Sequence, residues 1–383
     1  MDDAGPQQEL IVRGGLCLLP GEGLVSADVV CAGGEIVALR TLGAASGRAI
    51  DVHGCLVLPG IADIHGDAFE RQIMPRPKTV FPLEIAMLET DRQLAANGIT
   101  TAYHGITVSW EPGLRSLGQA LKIIEVLDRL EERLLVDHRI HIRWETFALD
   151  EMADVQALFS RTKKPLLAFN DHTTPTLAGS RSEIKLRGSA ERAMLDVSAY
   201  NELLQRIGQR QDAVPGAIQA IASVAASQGI AMLSHDDMTP DKRLAYRALG
   251  AAIAEFPMNQ LTLAASAEAG DVIVLGAPNV VRGGSHNGAI GAEDAIRGGR
   301  CTVLASDYYY PAQLRAAFAL EERGVLGLDE AWALISAAPA MASGLLDRGR
   351  IEVGRRADLV VISPTHRMPV MTIVAGRPVY RAH

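Results

Sequence analysis

Ten histidines are scattered along the chain, and four of them, His65, His104, His172 and His235, fall at or just past the end of an apolar run of β-strand character. Carboxylates share those positions: Asp67 lies two residues past His65, Glu145 lies at the end of a third run, and Asp307 closes the last. Imidazoles and carboxylates gathered on one face are the donors a divalent metal needs. Two ions a few ångströms apart, bridged by a carboxylate, would activate water between them. One histidine at a strand end is usually a hydrogen-bonded structural residue, whereas a set recurring at successive strand ends points to a site. His53, His366 and His383 lie outside the pattern. His138 and His141 read as the start of a strand, at the wrong end for such a site.

Cations and glycines supply a second theme. After the seventh apolar run comes Pro278-Asn279-Val280-Val281-Arg282-Gly283-Gly284-Ser285-His286. Gly283 and Gly284 let a backbone approach an anion closely, and Arg282 offers a bidentate fork. The segment after the first run holds Arg71, Arg76 and Lys78, stiffened by Pro75 and Pro77, and a later stretch adds Arg181, Lys185, Arg187 and Arg192. The later cluster reads equally as a solvated face. With 37 Lys+Arg against 45 Asp+Glu the chain is net acidic, so cations concentrated near one site suggest an anionic substrate, and no broad basic surface advertises nucleic acid.

These residues need a scaffold that brings distant strand ends together. Candidate strands at Ile61–His65, Thr100–His104, His141–Phe147, Pro165–Asn170, Ile230–His235, Ala251–Phe256, Val272–Gly276 and Thr302–Ser306 alternate with helical patterns. One such pattern is the stripe Leu117, Leu121, Ile124, Leu127, Leu130 and Leu134. Gly98 closes one helix and Pro215 opens another. Eight strands joined by helical crossovers predict an α/β fold, a (β/α)8 TIM-type barrel over 59–345, whose loops at the C-terminal strand ends carry the site. The rival, an open doubly wound sheet, lacks a GxGxxG after its first strand. About 40 residues pass between Asn170 and Pro215, and excursions of that length are usually functional. Short β runs broken by Gly and Pro fill 9–58 and return in 346–383, predicting one small β-sandwich domain built from both termini. The four cysteines form no CxxC pair, no apolar run approaches the roughly 20 residues a bilayer requires, and the N-terminus has no signal-peptide character. A cytoplasmic enzyme is expected, with a homo-oligomer, a dimer first, as the base-rate assembly.

Leu58-Pro59-Gly60 leading to His65, and Gly349-Arg350-Ile351-Glu352-Val353-Gly354 leading to Ala357-Asp358-Leu359-Val360-Val361, resemble the opening and closing motifs of the amidohydrolase superfamily. Four segments narrow the likeness to the PhnM family of phosphonate metabolism. They are His65-Gly66-Asp67 with Pro75-Arg76-Pro77-Lys78, Ser234-His235-Asp236-Asp237, Gly276 through His286, and Ser306-Asp307-Tyr308-Tyr309. The resemblance implies a metal-bearing barrel that hydrolyses α-D-ribose 1-methylphosphonate 5-triphosphate to the 5-phosphate and pyrophosphate. It further implies a centre on His65, Asp67, Glu145, His172, His235 and Asp307, with Glu145 bridging and Asp307 also carrying the proton. One or two divalent ions would bind, Zn first, with Mn or Fe also suited to such donors. In that frame Arg76, Lys78, Asn279, Arg282, Gly283, Gly284, Ser285 and His286 face the substrate. Tyr308 and Tyr309 either donate to it or pack the rim, and Asp237 orients a ligand from behind. The second histidine of the superfamily's usual His-x-His is Asp67 here, and His104 has no ligand counterpart. Hydrolysis or deamination at a C–N bond is the rival chemistry, and a scaffold without a working site the non-enzymatic one.

Overall fold

The computed structural model describes residues 9–40, 48–180, 182–284 and 290–382. Eight parallel strands follow one another in chain order as spatial neighbours: Ile61–Gly66, Ile99–Val108, Asp137–Glu145, Leu166–Asn170, Met232–His235, Ile253–Glu255, Val272–Gly276 and Val303–Ala305. The first and last close the barrel through a parallel bridge between Gly66 and Asp307, in which the Asp67 N–H donates to the Asp307 carbonyl and the Asp307 N–H to the His65 carbonyl, both at 2.9 Å. Closure therefore fixes three of the expected ligand positions against one another through the main chain. Below it, Asp63 accepts from the Ser306 N–H and hydroxyl at 3.0 and 2.5 Å. Gly66 is required there, because a Cβ would stand 2.7 Å from the Asp63 carboxylate.

The interior is a packed core of Ile64, Tyr103, Leu166, Ala168, Leu233, Ile253, Val274, Val303 and Ala305, floored by Ala338, Ala342 and Leu345. Helices cover the outside. That at Leu117–Leu130 is capped by the Ser116 hydroxyl, which accepts from the Gln119 N–H, and it buries Ile123, Ile124, Leu127 and Leu130. Leu121 of the expected stripe is instead 37% exposed, because the buried face is centred one residue earlier, on Ala120. Gly98 ends the helix Leu83–Ala96 at φ +78°, and Pro215 lies in the first turn of Val214–Ser227. The excursion after the fourth strand folds into the helices Thr173–Leu177, Glu183–Arg192 and Val197–Gly208. Among the described residues no helix is long and apolar enough to cross a membrane.

Both termini build one eight-stranded mixed sheet in which Leu359–Ser363 pairs with Leu56–Pro59, and Leu10–Leu19 joins Leu56–Pro59, Arg48–Asp51 and Gly23–Ala32. Leu10–Leu19 is one strand, continued across a bulge between Val12 and Gly15. Gly14 sits in that bulge at φ +79°, where a Cβ would collide with the His53 ring. An ionic network ties the segment that leads into this sheet's Leu359–Ser363 strand to the barrel. Arg348 donates to Asp137 at 2.8 Å and to Thr101 at 2.8 Å, while Arg139 and Lys163 also reach Asp137, both at 2.9 Å.

Burial alone raises the Asp137 pKa, but Arg139, Lys163 and Arg348 together outweigh it and hold the carboxyl well below its usual range. A depressed carboxylate pKa contributes stability that is complete above the ordinary value near ~3.9 and is lost as pH falls through the lower folded value. Acid unfolding monitored by circular dichroism should steepen below about pH 4. Asp137→Asn should flatten that limb and lower stability at neutral pH by on the order of 3 kcal/mol, since it strands buried cations. An acid limb unchanged in the variant would contradict this assignment.

Candidate metal centre

Among the described residues three clusters of donor atoms meet at the C-terminal mouth, the atoms of each lying within 4.8 Å of one another: His65 with Asp67 and Asp307, His172 with His235 and Asp236, and His65 with His141 and Glu255. Asp236, Phe256 and Asp307 all carry positive φ, at 56°, 54° and 56°. Asp236 and Phe256 follow their strands directly and Asp307 follows its own with Ser306 between; each turns through the left-handed region, which costs a non-glycine residue on the order of 1–2 kcal/mol. The repeated turn aims Asp236 and Asp307 into a cavity of about 210 Å3 that His65, Asp67, His235, Asn279 and Tyr308 also line.

Glu255 organises the floor. Its two oxygens accept separately from His65 Nδ1 and His235 Nδ1, each at 2.8 Å, and the two rings stack with centroids 5.4 Å apart. A proton on each Nδ1 leaves a lone pair on each Nε2: that of His65 faces the cavity, the arrangement in which carboxylates tune metal-bound histidines, while that of His235 lies 3.0 Å from Arg143 Nη2. Glu145 treats His172 similarly, with its carboxylate 3.4 Å from Nδ1. His141 donates its Nδ1 proton to the Ile64 carbonyl at 2.9 Å, and burial pushes its pKa down to about 3, so it is neutral. Around Asp307, burial first and the neighbouring Asp67 carboxylate second raise the pKa to about 7. Two carboxylates facing one imidazole lone pair repel each other, and a shared proton or a cation between them relieves that repulsion. The nitrogen and oxygen donors at His65, Asp67 and Asp307 thus fit a divalent ion of the Zn, Mn or Fe kind.

Several expected positions land elsewhere. Glu145 lies between no two donor clusters: its oxygens accept from the His172 N–H at 3.1 Å, the Thr173 N–H at 3.2 Å and the Thr173 hydroxyl at 2.7 Å. It satisfies the start of the helix Thr173–Leu177 and belongs to none of the three donor clusters. Asp237 sits behind its strand against Ser234 and Arg243 and touches no ligand ring; Glu255 does what was expected of it. His104 points outward, stacking on His138 at 2.7 Å between ring nitrogens, and His138 in turn reaches Asp91 at 3.0 Å. Arg76 and Lys78 are exposed and do not line the cavity. Arg71 is nearer, its guanidinium 5.7 Å from the Tyr308 ring centre. Asn279 lies on a short helix, Ala277–Arg282, ended by Gly283 at φ +75° with Gly284 beyond it. Arg282 donates to the Tyr308 hydroxyl at 3.3 Å. Ser285, His286 and Arg181 lie outside the described residues.

Four participants escaped the sequence reading: Glu255, Asp236, Arg143 and His141. Glu255 is the last residue but one of the sixth candidate strand, Ala251–Phe256, and ends the observed one, and Asp236 follows His235, so both lie where the strand-end rule applies. His141 looked like a strand start because the third strand begins four residues earlier, at Asp137.

With a closed parallel barrel, candidate donors at its mouth and a sheet shared by both termini, the chain belongs to the amidohydrolase family of hydrolases: the family model matches residues 208–380, and a curated relative aligns along most of the chain. It is 31% identical over 351 residues to the alpha-D-ribose 1-methylphosphonate 5-triphosphate diphosphatase of Escherichia coli K12, covering 88% of this chain and 91% of that protein. Among solved structures it is similar to an amidohydrolase from a Sargasso Sea environmental sample, with TM-score 0.67, 16% identity, and coverage of 97% of this chain and 93% of the other. It is also similar to the β-aspartyl dipeptidase of Fervidobacterium islandicum AW-1, with TM-score 0.62, 15% identity and 97% of each chain covered. At these identities the solved structures speak for the fold alone.

Proposed function

We propose that this chain hydrolyses the triphosphate of α-D-ribose 1-methylphosphonate 5-triphosphate, or a close analogue, to the 5-phosphate and pyrophosphate, acting in the cytoplasm. The observation that carries the reading is that the His65–Asp67–Asp307 cluster opens into the same cavity as Asn279 and Tyr308, with Arg282 hydrogen-bonded to Tyr308. The diphosphatase relative, aligned over most of both chains, supports the substrate class.

A divalent ion held by His65, Asp67 and Asp307 would polarise a phosphoryl oxygen and lower the pKa of bound water from about 15.7 toward 7. Asp307 accepts the proton that leaves water as its oxygen bonds to the first phosphorus of the chain; the anhydride bond beyond it breaks, and pyrophosphate departs. Arg282 meets the charge growing on the departing oxygens, and Tyr308 and Asn279 orient the phosphate chain by hydrogen bonding. Phe256 and Met258, which line the same cavity, limit water to the attacking face.

Purified protein assayed with the triphosphorylated pentose phosphonate should release pyrophosphate and 5-phosphate in equal amounts. Turnover of N-acyl amino acids or lactams without pyrophosphate release would replace this reading with C–N hydrolysis. Arg282→Ala should raise KM for the triphosphate about tenfold, the loss of roughly one charge-assisted contact, while metal content stays constant by elemental analysis. Unchanged kinetics would remove Arg282 from substrate binding.

A further inference from the structure

Arg143 enters the mouth from the third strand, between His141 below and Glu145 above on the same inward face, and it is 4% exposed. Its Nη2 donates to His235 Nε2 at 3.0 Å, and its Nη1 lies 3.4 Å from the Asp67 carboxylate. With the Asn170 amide turned to present its oxygen, Nε and Nη2 each donate to it at 3.2 Å. Room for this side chain comes from the neighbouring strand, where a Cβ on Gly105 would stand 3.1 Å from Arg143 Cδ. A guanidinium anchored on three strands in this way is built in.

Its contact with His235 decides how many ions the site takes. Because His235 Nδ1 gives its proton to Glu255, Nε2 carries one lone pair, and Arg143 takes it. An ion on His172, His235 and Asp236 would need that same lone pair. The carboxylate that could join a second ion to the first, Glu145, is committed to the His172 and Thr173 N–H groups. Around His65 the situation is reversed: Nδ1 is held by Glu255, no guanidinium occupies Nε2, and Asp67 and Asp307 stand beside it.

We propose that the centre binds a single divalent ion, on His65, Asp67 and Asp307, and that Arg143 supplies the second positive charge by occupying His235. Arg143 is then a positioning residue that holds His235 and Asp67 apart from a second metal. The proposal rests on the reading that the mouth is a metal centre.

Chelator-stripped protein dialysed against Mn2+ and analysed for metal tests it. Wild type should hold one ion per chain and give the paramagnetic resonance spectrum of an isolated Mn2+. His235→Asn should still hold one, His65→Asn none, and Arg143→Met, checked for folding by circular dichroism, should gain a second. Two ions in wild type, or an ion lost in His235→Asn, would overturn the single-ion assignment while leaving the metal centre intact. A folded Arg143→Met protein that stays at one would overturn the role of Arg143. No ion in any variant, with pyrophosphate release insensitive to chelator, would overturn the metal reading and this proposal together.

Discussion

Asp307→Asn should lower kcat by about a hundred- to ten-thousand-fold, the range spanned by loss of a positioned proton acceptor. The barrel closes through the main chain of residues 65–67 and 307, so the substitution leaves the strand pairing intact and removes only the carboxylate charge. An asparagine of the same shape cannot accept a proton from water, and it donates poorly to a cation shared with His65 and Asp67. Two effects should separate in the assay. Raising the divalent-ion concentration should restore metal occupancy, and kcat should stay low because the acceptor is still missing. Recovery to within tenfold of wild type under excess metal would reduce Asp307 to a ligand.

Glu255→Gln should weaken metal binding about 10–100-fold, the usual cost of losing a carboxylate behind a metal-bound histidine. Both Glu255 oxygens now accept Nδ1 protons, from His65 and from His235. An amide keeps one acceptor and turns a donor toward the other ring, which must then carry its proton on Nε2, pointing into the cavity. If the amide nitrogen faces His65, the ligand lone pair is lost outright; if it faces His235, Arg143 confronts a proton. The measurement is metal affinity by competition with a chromophoric chelator. Wild-type affinity in a folded Glu255→Gln protein would mean that Glu255 does not set the tautomers.

The barrel was legible because each of its eight strands carries its own apolar run, and chain order became spatial order without exception. What stayed hidden was set by pairs distant in sequence. Asp137, His138 and Arg139 begin the third strand as polar residues, so the apolar signal starts late. Their partners, Arg348, Lys163 and Asp91, come from other parts of the chain. That late start made His141 look basal when it lies mid-strand and inward. Arg143 reads locally as a solvent-facing cation; only Asp67, His235 and Asn170, from three other strands, make it internal. His104 was readable in principle, since a strand alternates faces and Tyr103 already points into the core. Glu145 illustrates a second role for a strand-end carboxylate: the backbone N–H groups of His172 and Thr173 at the start of a short helix donate to it.

Crystals soaked in Mn2+ or Zn2+ and measured at the metal absorption edge test the central claim most directly. An anomalous peak is expected at the barrel mouth, about 2.0–2.2 Å from His65 Nε2 and from oxygens of Asp67 and Asp307. A peak bound elsewhere, or these three side chains directed apart around an empty mouth, would contradict it.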